Sequence, residues 1–235
     1  MKLLILAGGF GTRLRSVIND VPKALAPVGG LPFLQLQIEH WRSHGIDSFV
    51  FLLHHQSELI VNFLKAQHSD LFKDCEVNWL VEPTPMDTGG AVAFAIDQLE
   101  LTGDFLVTNS DTWLGIGYEG LLQAPVPSMA VVQLLDVSRY GKVQINSENY
   151  VTSFKEKNSC MESGWINAGF YHLSAELFMN WNRQPFSLER ISLPSWSSCG
   201  KLKAIPLQAD FIDIGVPTDY FRFCRWIESG KKVSL

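Results

Sequence analysis

The chain opens on Lys2-Leu3-Leu4-Ile5-Leu6, an apolar run that reads as a buried strand. Helical spacing of apolar positions follows from about Phe33 to His44 and is closed by Gly45. Ser48 to Leu53 then reads as a strand, and helical spacing returns near Ser57 to Ala66. A strand near Glu76 to Val81 precedes a helix opening at Thr88-Gly89-Gly90-Ala91, and Asp104 to Thr108 forms the next strand, ending in Asn109-Ser110-Asp111. This alternation predicts an α/β fold of Rossmann-like character: a mixed, mostly parallel sheet with helices on both faces, in a single domain. Ligands of such sheets bind beyond the carboxyl ends of the strands, where the glycine turn after Leu6, Glu82 to Ala91 and Asn109 to Thr112 all fall.

After about Ser128 the pattern becomes strand-rich, with Met129 to Leu135, Lys142 to Ile145, Val151 to Phe154 and Ile166 to Leu173 as the expected strands. Helices near Ala175 to Trp181 and Leu188 to Ser195, a short strand Leu202 to Pro206 and a final helix Pro217 to Glu228 complete the chain.

The turn Gly8-Gly9-Phe10-Gly11-Thr12-Arg13 changes this picture from fold to chemistry. Glycines permit positive φ and let backbone N–H groups approach phosphate oxygens that a Cβ would keep away. The spacing is neither G-x-G-x-x-G nor a P-loop, since no Gly-Lys-Ser/Thr follows. The distinctive addition is a pair of cations. Arg13 can grip phosphate oxygens bidentately, and Lys23, framed by Pro22 and Ala24-Leu25-Ala26-Pro27, supplies a compact point charge. Together they suit a triphosphate. Asp111 stands directly after an apolar strand, and Phe211-Ile212-Asp213-Ile214-Gly215 offers a second carboxylate. A hard cation such as Mg²⁺ takes one or two carboxylates plus substrate phosphates, so Asp111 and Asp213 are the expected metal pair.

Composition narrows the partners. With 19 Lys and Arg against 24 Asp and Glu, the net charge of -5 argues against a broad basic surface for nucleic acid. Cys75, Cys160, Cys199 and Cys224 are scattered without C-x-x-C, which indicates neither a zinc site nor a redox motif. No apolar window approaches the ~20 residues of a membrane span, and no signal peptide is evident, so a soluble cytoplasmic protein is expected. The six histidines show no metal spacing, and His172 reads as a satisfied core histidine.

The string from Leu6 to Pro32, G-G-x-G-T-R-L followed by P-K-x-L-x-P-V-x-G-x-P, resembles the signature of the sugar-1-phosphate nucleotidyltransferases. The resemblance covers essentially the whole chain and extends to the heptose 1-phosphate guanylyltransferase group. The shared runs are Ser16 to Lys23, Arg139-Tyr140-Gly141, Phe186-Ser187-Leu188-Glu189 and Phe211 to Gly215. It implies the nucleotide-diphospho-sugar transferase fold and transfer of a nucleotidyl group from an NTP to a sugar 1-phosphate, with release of pyrophosphate and Mg²⁺ as cofactor. By the same resemblance, residues 1–127 hold the nucleotide and residues 128–235 the sugar phosphate.

The nucleotide is then expected on Leu6, Ala7, Gly8, Gly9, Gly11, Thr12, Arg13, Lys23, Glu82, Thr88 and Gly89, with Arg13, Lys23 and Asp111 catalytic. The sugar phosphate is expected on Gly141, Glu156, Lys157, Asn167 and Gly169. A carboxylate at Glu82 can accept from both N1–H and the exocyclic amine of guanine but faces the O4 of uracil or thymine unfavourably, which favours GTP. Two positions depart from the pattern: Asp87 stands where relatives usually carry Gly, and Leu31 where Lys or Arg is common. A uridylyl- or thymidylyltransferase acting on another sugar phosphate, and a noncatalytic sugar-nucleotide sensor, stay open as alternatives.

Overall fold

The computed structural model describes residues 1–115, 118–155 and 162–230. These form two compact units, each assembled from separated stretches of chain: residues 1–85, 108–115 and 210–230 in one, residues 86–107, 118–155 and 162–209 in the other. Thr88 and Gly89 fall in the unit of Asn167, and Asp213 falls in the unit of Arg13 and Lys23.

In the first unit the strand Lys2–Ala7 pairs in parallel with Ser48–Leu53, which pairs in parallel with Glu76–Val81. Leu3, Leu4, Ile5 and Phe49 through Leu53 are essentially inaccessible, which explains why both strands read as unbroken apolar runs rather than as alternation. Helices Phe33–Ser43 and Ser57–Ala66 provide the crossovers expected between parallel strands. Two short pairings went unanticipated. Pro27–Val28 and Leu31–Pro32 form a hairpin around Gly29 and Gly30, both at positive φ, as a two-residue turn of the primed type requires, and Leu31 faces Val28 in it. Thr112–Leu114 pairs antiparallel with Phe211–Asp213, a three-residue ladder below the length at which periodicity is visible.

That small ladder carries a core of Trp113, Ile212, Ile214, Tyr220 and Phe223 from distant segments, packed with Phe33, Leu14 and Val28. His40 on the helix Phe33–Ser43 enters beside it. The ring lies 4.7 Å from that of Trp113, with Nε2 3.1 Å from the Leu114 carbonyl. Burial, reinforced by the nearby charge of His44, lowers its pKa to about 4. Between pH 6.5 and 4 the unfolded chain therefore binds a proton that the folded one refuses, so this contribution is complete above pH 6.5 and is lost as pH falls. Urea unfolding at pH 7 and 4.5 is expected to show the wild type losing about 2 kcal/mol more than His40→Gln. Equal losses refute the assignment.

In the second unit the long strand Gly164–Ser174 pairs antiparallel with Ser128–Leu134 and with Lys142–Ile145. Lys142–Ile145 in turn pairs with Val151–Lys155, and Lys203–Leu207 joins Ser128–Leu134 in parallel. Helix Asp87–Leu99 and strand Asp104–Asn109 connect the chain back toward the first unit. Two expected helices are corrected. Ala175 to Trp181 is only a 3₁₀ turn over Ala175–Phe178, capped by the Ser174 hydroxyl and ended where the Trp181 indole donates to the Gln184 carbonyl. Leu188 to Ser195 winds as a wide turn over Leu188–Ser192 before the helix Leu193–Ser198 begins, because Pro194 has no N–H to continue an α-helical ladder. His172 is buried as expected but not satisfied. Neither ring nitrogen has a hydrogen-bond partner among the described residues, nor has the Ser128 hydroxyl directly opposite it in the ladder.

Candidate active site

The glycine turn leaves the end of strand Lys2–Ala7 and is closed by Gly11, which sits at φ +61 and accepts a hydrogen bond from Leu14 N–H at 3.0 Å. Leu14 is buried and anchors the turn in the core, so the loop is fixed at its far end. Gly8 is needed for close approach: a Cβ there would lie 3.1 Å from Glu82 Oε1 and 3.2 Å from His54 Cβ. A Cβ at Gly9 would meet nothing, which leaves that face of the turn open to a ligand. Part of the Leu6 to Gly9 backbone is occupied, since the Leu6 carbonyl accepts from Ser110 N–H at 3.1 Å and the Gly8 carbonyl from His55 N–H at 3.4 Å.

Around this turn the fold gathers four expected charges from four parts of the sequence. The Lys23 ammonium donates to Asp111 Oδ2, and Thr112 Oγ1 donates to Asp111 Oδ1 at 3.2 Å. The pairing of Phe211–Asp213 with Thr112–Leu114 sets Asp213 opposite Thr112, one residue from Asp111, and Ile214 N–H donates to the Asp111 carbonyl at 2.9 Å. Gly215 N–H donates to Asp213 Oδ1 at 2.7 Å, and a Cβ at Gly215 would stand 3.3 Å from the Arg13 guanidinium. Gln37, buried on the helix Phe33–Ser43, braces the segment by donating to the Thr112 carbonyl at 2.8 Å.

The two carboxyls behave differently. Burial pushes Asp111 up, but the Lys23 ammonium and its hydrogen bond outweigh this and hold the carboxyl below its ordinary range. Asp213 is raised, first by burial and then by the negative charge of Asp111, with the Gly215 N–H, Lys23 and Arg13 only partly compensating. A pair of neighbouring carboxylates that its own cations leave under-neutralised suits a further cation. Among the described residues no third His, Cys, Asp or Glu joins them in a metal-sized group, so such a cation would complete its shell with phosphate oxygens and water.

Glu82 lies at the same end of the sheet, 7 % exposed, with its N–H donating to the Leu53 carbonyl at 2.7 Å and its carbonyl 3.2 Å from His54 Nδ1. Its carboxylate is thus presented against the Gly8 backbone by fixed main chain on both sides.

Thr88 and Gly89 belong to the other unit, where the structure commits them internally. The Gly89 and Gly90 N–H groups donate to the Phe186 carbonyl at 2.8 and 3.0 Å, and the Phe186 ring covers Gly89 so closely that a Cβ would clash at 2.2 Å. The Thr88 hydroxyl donates to Glu189 Oε2 at 2.6 Å and accepts from Leu188 N–H at 2.9 Å. Asp87 is at φ +58, the left-handed region that glycine occupies without penalty. Here the Asp87 carboxylate instead accepts from Thr88 N–H at 2.8 Å and pairs with Arg190.

In the same unit Asn167 is held at both ends of its amide. Nδ2 donates to Tyr171 Oη at 2.8 Å, and Oδ1 accepts from Gly169 N–H at 2.9 Å, with Gly169 at φ +69 where the ladder shifts register. The Tyr171 hydroxyl reaches Glu189 Oε1 at 3.5 Å, and Ser187 Oγ donates to Glu189 Oε2 at 2.8 Å. Burial, with the Glu189 charge adding to it, raises the Tyr171 pKa far above the ordinary phenol value, so the phenol remains a donor. Tyr171 and Glu189 complete this network, of which only the run Phe186 to Glu189 stands out in the sequence. Gly141 precedes the strand Lys142–Ile145. Glu156 and Lys157 lie outside the described residues.

The Nucleotidyl transferase family profile matches residues 2–223. The chain belongs to this family. It is 33 % identical over 225 residues to the D-glycero-alpha-D-manno-heptose 1-phosphate guanylyltransferase of Campylobacter jejuni, covering 95 % of this chain and 98 % of that protein. Against the mannose-1-phosphate guanylyltransferase 1 of Arabidopsis thaliana the identity is 32 % over 243 residues, and this chain spans 67 % of that longer protein. The crystal structure of HddC from Yersinia pseudotuberculosis superposes with a TM-score of 0.85 at 33 % identity, covering 96 % of this chain and 99 % of that one. The same protein complexed with GMP-PN gives 0.83 at 32 %. The expected fold class, a mixed, mostly parallel sheet with helices, is thus that of the family. As a nucleotidyl transferase the chain is an enzyme acting on an NTP and a sugar 1-phosphate. No helix among the described residues is long and apolar enough to cross a membrane.

Proposed function

We propose that this nucleotidyl transferase is a guanylyltransferase that joins GTP to D-glycero-alpha-D-manno-heptose 1-phosphate, giving the GDP-sugar and pyrophosphate in the cytoplasm for use in glycan assembly. The observation that carries the nucleotide choice is the buried Glu82 carboxylate held against the Gly8 backbone. It matches the two adjacent donors of guanine and repels a pyrimidine carbonyl. The likeness to the Campylobacter heptose 1-phosphate enzyme over nearly the full length of both chains supports the sugar.

In the reaction a phosphate oxygen of the sugar 1-phosphate attacks the α-phosphorus of GTP. The new P–O bond forms as the α–β bridging bond breaks, and the electron pair leaves with pyrophosphate. The nucleophile is already anionic, so alignment and charge neutralisation, rather than a general base, lower the barrier. Lys23, beside Asp111, meets charge developing at the α-phosphoryl group, while Arg13, beside Asp213, offers a bidentate donor to the phosphates beyond it. Asp111 and Asp213 would hold Mg²⁺, which when bound supplies further neutralisation of phosphate charge. Asn167, with its amide oriented by Tyr171 and Gly169, faces hydroxyl recognition, and Glu156 and Lys157 would hold the sugar and its phosphate.

The test is a pyrophosphate-release assay on the purified chain with GTP, UTP, dTTP and CTP against a panel of sugar 1-phosphates. The expected result is turnover that is highest with GTP and the heptose 1-phosphate, lost on chelation and restored by Mg²⁺. Preference for UTP or dTTP overturns the guanylyl reading, and no release with any pair overturns the reading as a whole.

A further inference from the structure

The run Phe186-Ser187-Leu188-Glu189 stands out in the sequence but has no task in the reaction as described. Within the second unit its last residue is where three segments meet. Glu189 Oε2 accepts from Thr88 Oγ1, at the start of helix Asp87–Leu99, at 2.6 Å and from Ser187 Oγ at 2.8 Å. Its Oε1 accepts from Tyr171 Oη, in strand Gly164–Ser174, at 3.5 Å. One carboxylate thus takes three hydroxyl donors, and an acceptor-only group decides which way each of them points.

That direction matters at Asn167. Gly169 N–H can only donate, so it fixes Oδ1 as the acceptor and turns Nδ2 toward Tyr171 Oη at 2.8 Å. The phenol oxygen therefore receives a hydrogen from Asn167 and must send its own proton elsewhere. Tyr171 is fully buried, and Glu189 is its acceptor among the described residues. With a backbone N–H at one end and a carboxylate at the other, every proton along Gly169, Asn167, Tyr171 and Glu189 has one place to go. The second hydrogen on Nδ2 and the second lone pair on Oδ1 have no partner among the described residues, so the amide offers a ligand one donor and one acceptor of settled orientation. Without the carboxylate the buried phenol would turn its proton on Asn167, set donor against donor, and drive the amide to a flip that Gly169 opposes.

We infer that Glu189 is a positioning residue for sugar recognition, acting through Tyr171 to hold the Asn167 amide in the orientation that meets the sugar hydroxyls. The inference rests on the reading of Asn167 as a sugar-binding residue of a nucleotidyl transferase, and adds to it the residue that aims the amide. It also gives the Phe186 to Glu189 run a task. The Phe186 carbonyl takes the Gly89 and Gly90 N–H groups, and Leu188 N–H donates to Thr88 Oγ1, so the backbone of the run is pinned to the helix start before the Glu189 side chain reaches the strand.

The test uses the full chain with Glu189→Gln, Tyr171→Phe and, as a control, Ser187→Ala, with circular dichroism to check folding. In Glu189→Gln the remaining oxygen is held by the hydroxyls of Thr88 and Ser187 and the NH₂ falls on Tyr171, so the variant breaks the arm to Asn167 and keeps the tie to the helix. KM for the sugar 1-phosphate is expected to rise about 2- to 10-fold in Tyr171→Phe, the weight of one neutral hydrogen bond, and about tenfold or more in Glu189→Gln, where a donor also meets a donor. The NTP KM is expected to stay unchanged in both, and Ser187→Ala to leave the sugar KM as it is. The Asn167 side-chain amide, followed by ¹⁵N NMR of the ligand-free protein and assigned by its loss in Asn167→Asp, needs no turnover. Its resonances are expected to shift in Glu189→Gln and Tyr171→Phe and to stay in Ser187→Ala. If they stay in Glu189→Gln, if the sugar KM there is unchanged or is matched by Ser187→Ala, or if the NTP KM rises equally, the positioning role is wrong even though the enzyme is active. If the wild type transfers no nucleotide to any sugar 1-phosphate while the Asn167 amide moves in Glu189→Gln, the positioning of Asn167 stands and the reaction assignment fails.

Discussion

Lys23→Ala is expected to lower kcat by about 10²- to 10³-fold while the chain still folds, the loss typical of removing one preorganised electrostatic group. The structure sharpens the reason. Lys23 is mostly buried and bonded to Asp111, so the ammonium is held in place before substrate arrives and spends no reorganisation in the transition state. Its removal also leaves Asp111 beside Asp213 without its principal counter-charge, and both carboxyls should then titrate higher. Asp111→Ala should fall at least as far, because it removes the partner that aims Lys23. Steady-state rates with saturating substrates check both, with circular dichroism as the folding control. Near-normal turnover in either variant would falsify the assigned role.

Glu82→Gln should change which nucleotide is used. The substitution keeps the size of a 7 %-exposed side chain, so the fold is expected to survive. The carboxylate accepts at two oxygens, whereas the amide offers one acceptor and one NH₂ that must face a guanine donor. Losing a bidentate base contact costs ~1–3 kcal/mol, and setting donor against donor adds the cost of an unmet hydrogen bond. GTP is therefore expected to lose about 10²-fold or more in kcat/KM, with UTP and dTTP improved relative to it. The readout is kcat/KM for all four nucleotides in wild type and variant. An unchanged order of preference removes Glu82 from the base site and leaves the Gly8 contact as packing only.

Site residues differ in how much of their setting is visible in the sequence. Lys23 stands in a recognisable string, and its charge and neighbours could be named from residue types alone. Its bond to Asp111 spans 88 positions and depends on where strand Asp104–Asn109 ends. Thr88 and Gly89 have partners that their neighbours do not show: the Phe186 carbonyl and Glu189 reach them from about a hundred residues away. No local pattern announces such a capture, because a donor or acceptor can be satisfied by any segment that the fold delivers.

The sequence by itself determined the alternation of strands and helices, the glycine turn and its two cations, and the family, because strand and helix periods and close-approach glycines are set by neighbours a few residues apart. Asp111 and Asp213 are paired from the sequence alone, but only the tertiary structure shows the means, a three-residue ladder too short to read. The tertiary structure alone decided that Asn167 is locked through Tyr171 to Glu189. Those contacts close long loops, and the loop entropy they cost is recovered only when the separated segments pack together, which no short stretch of sequence records.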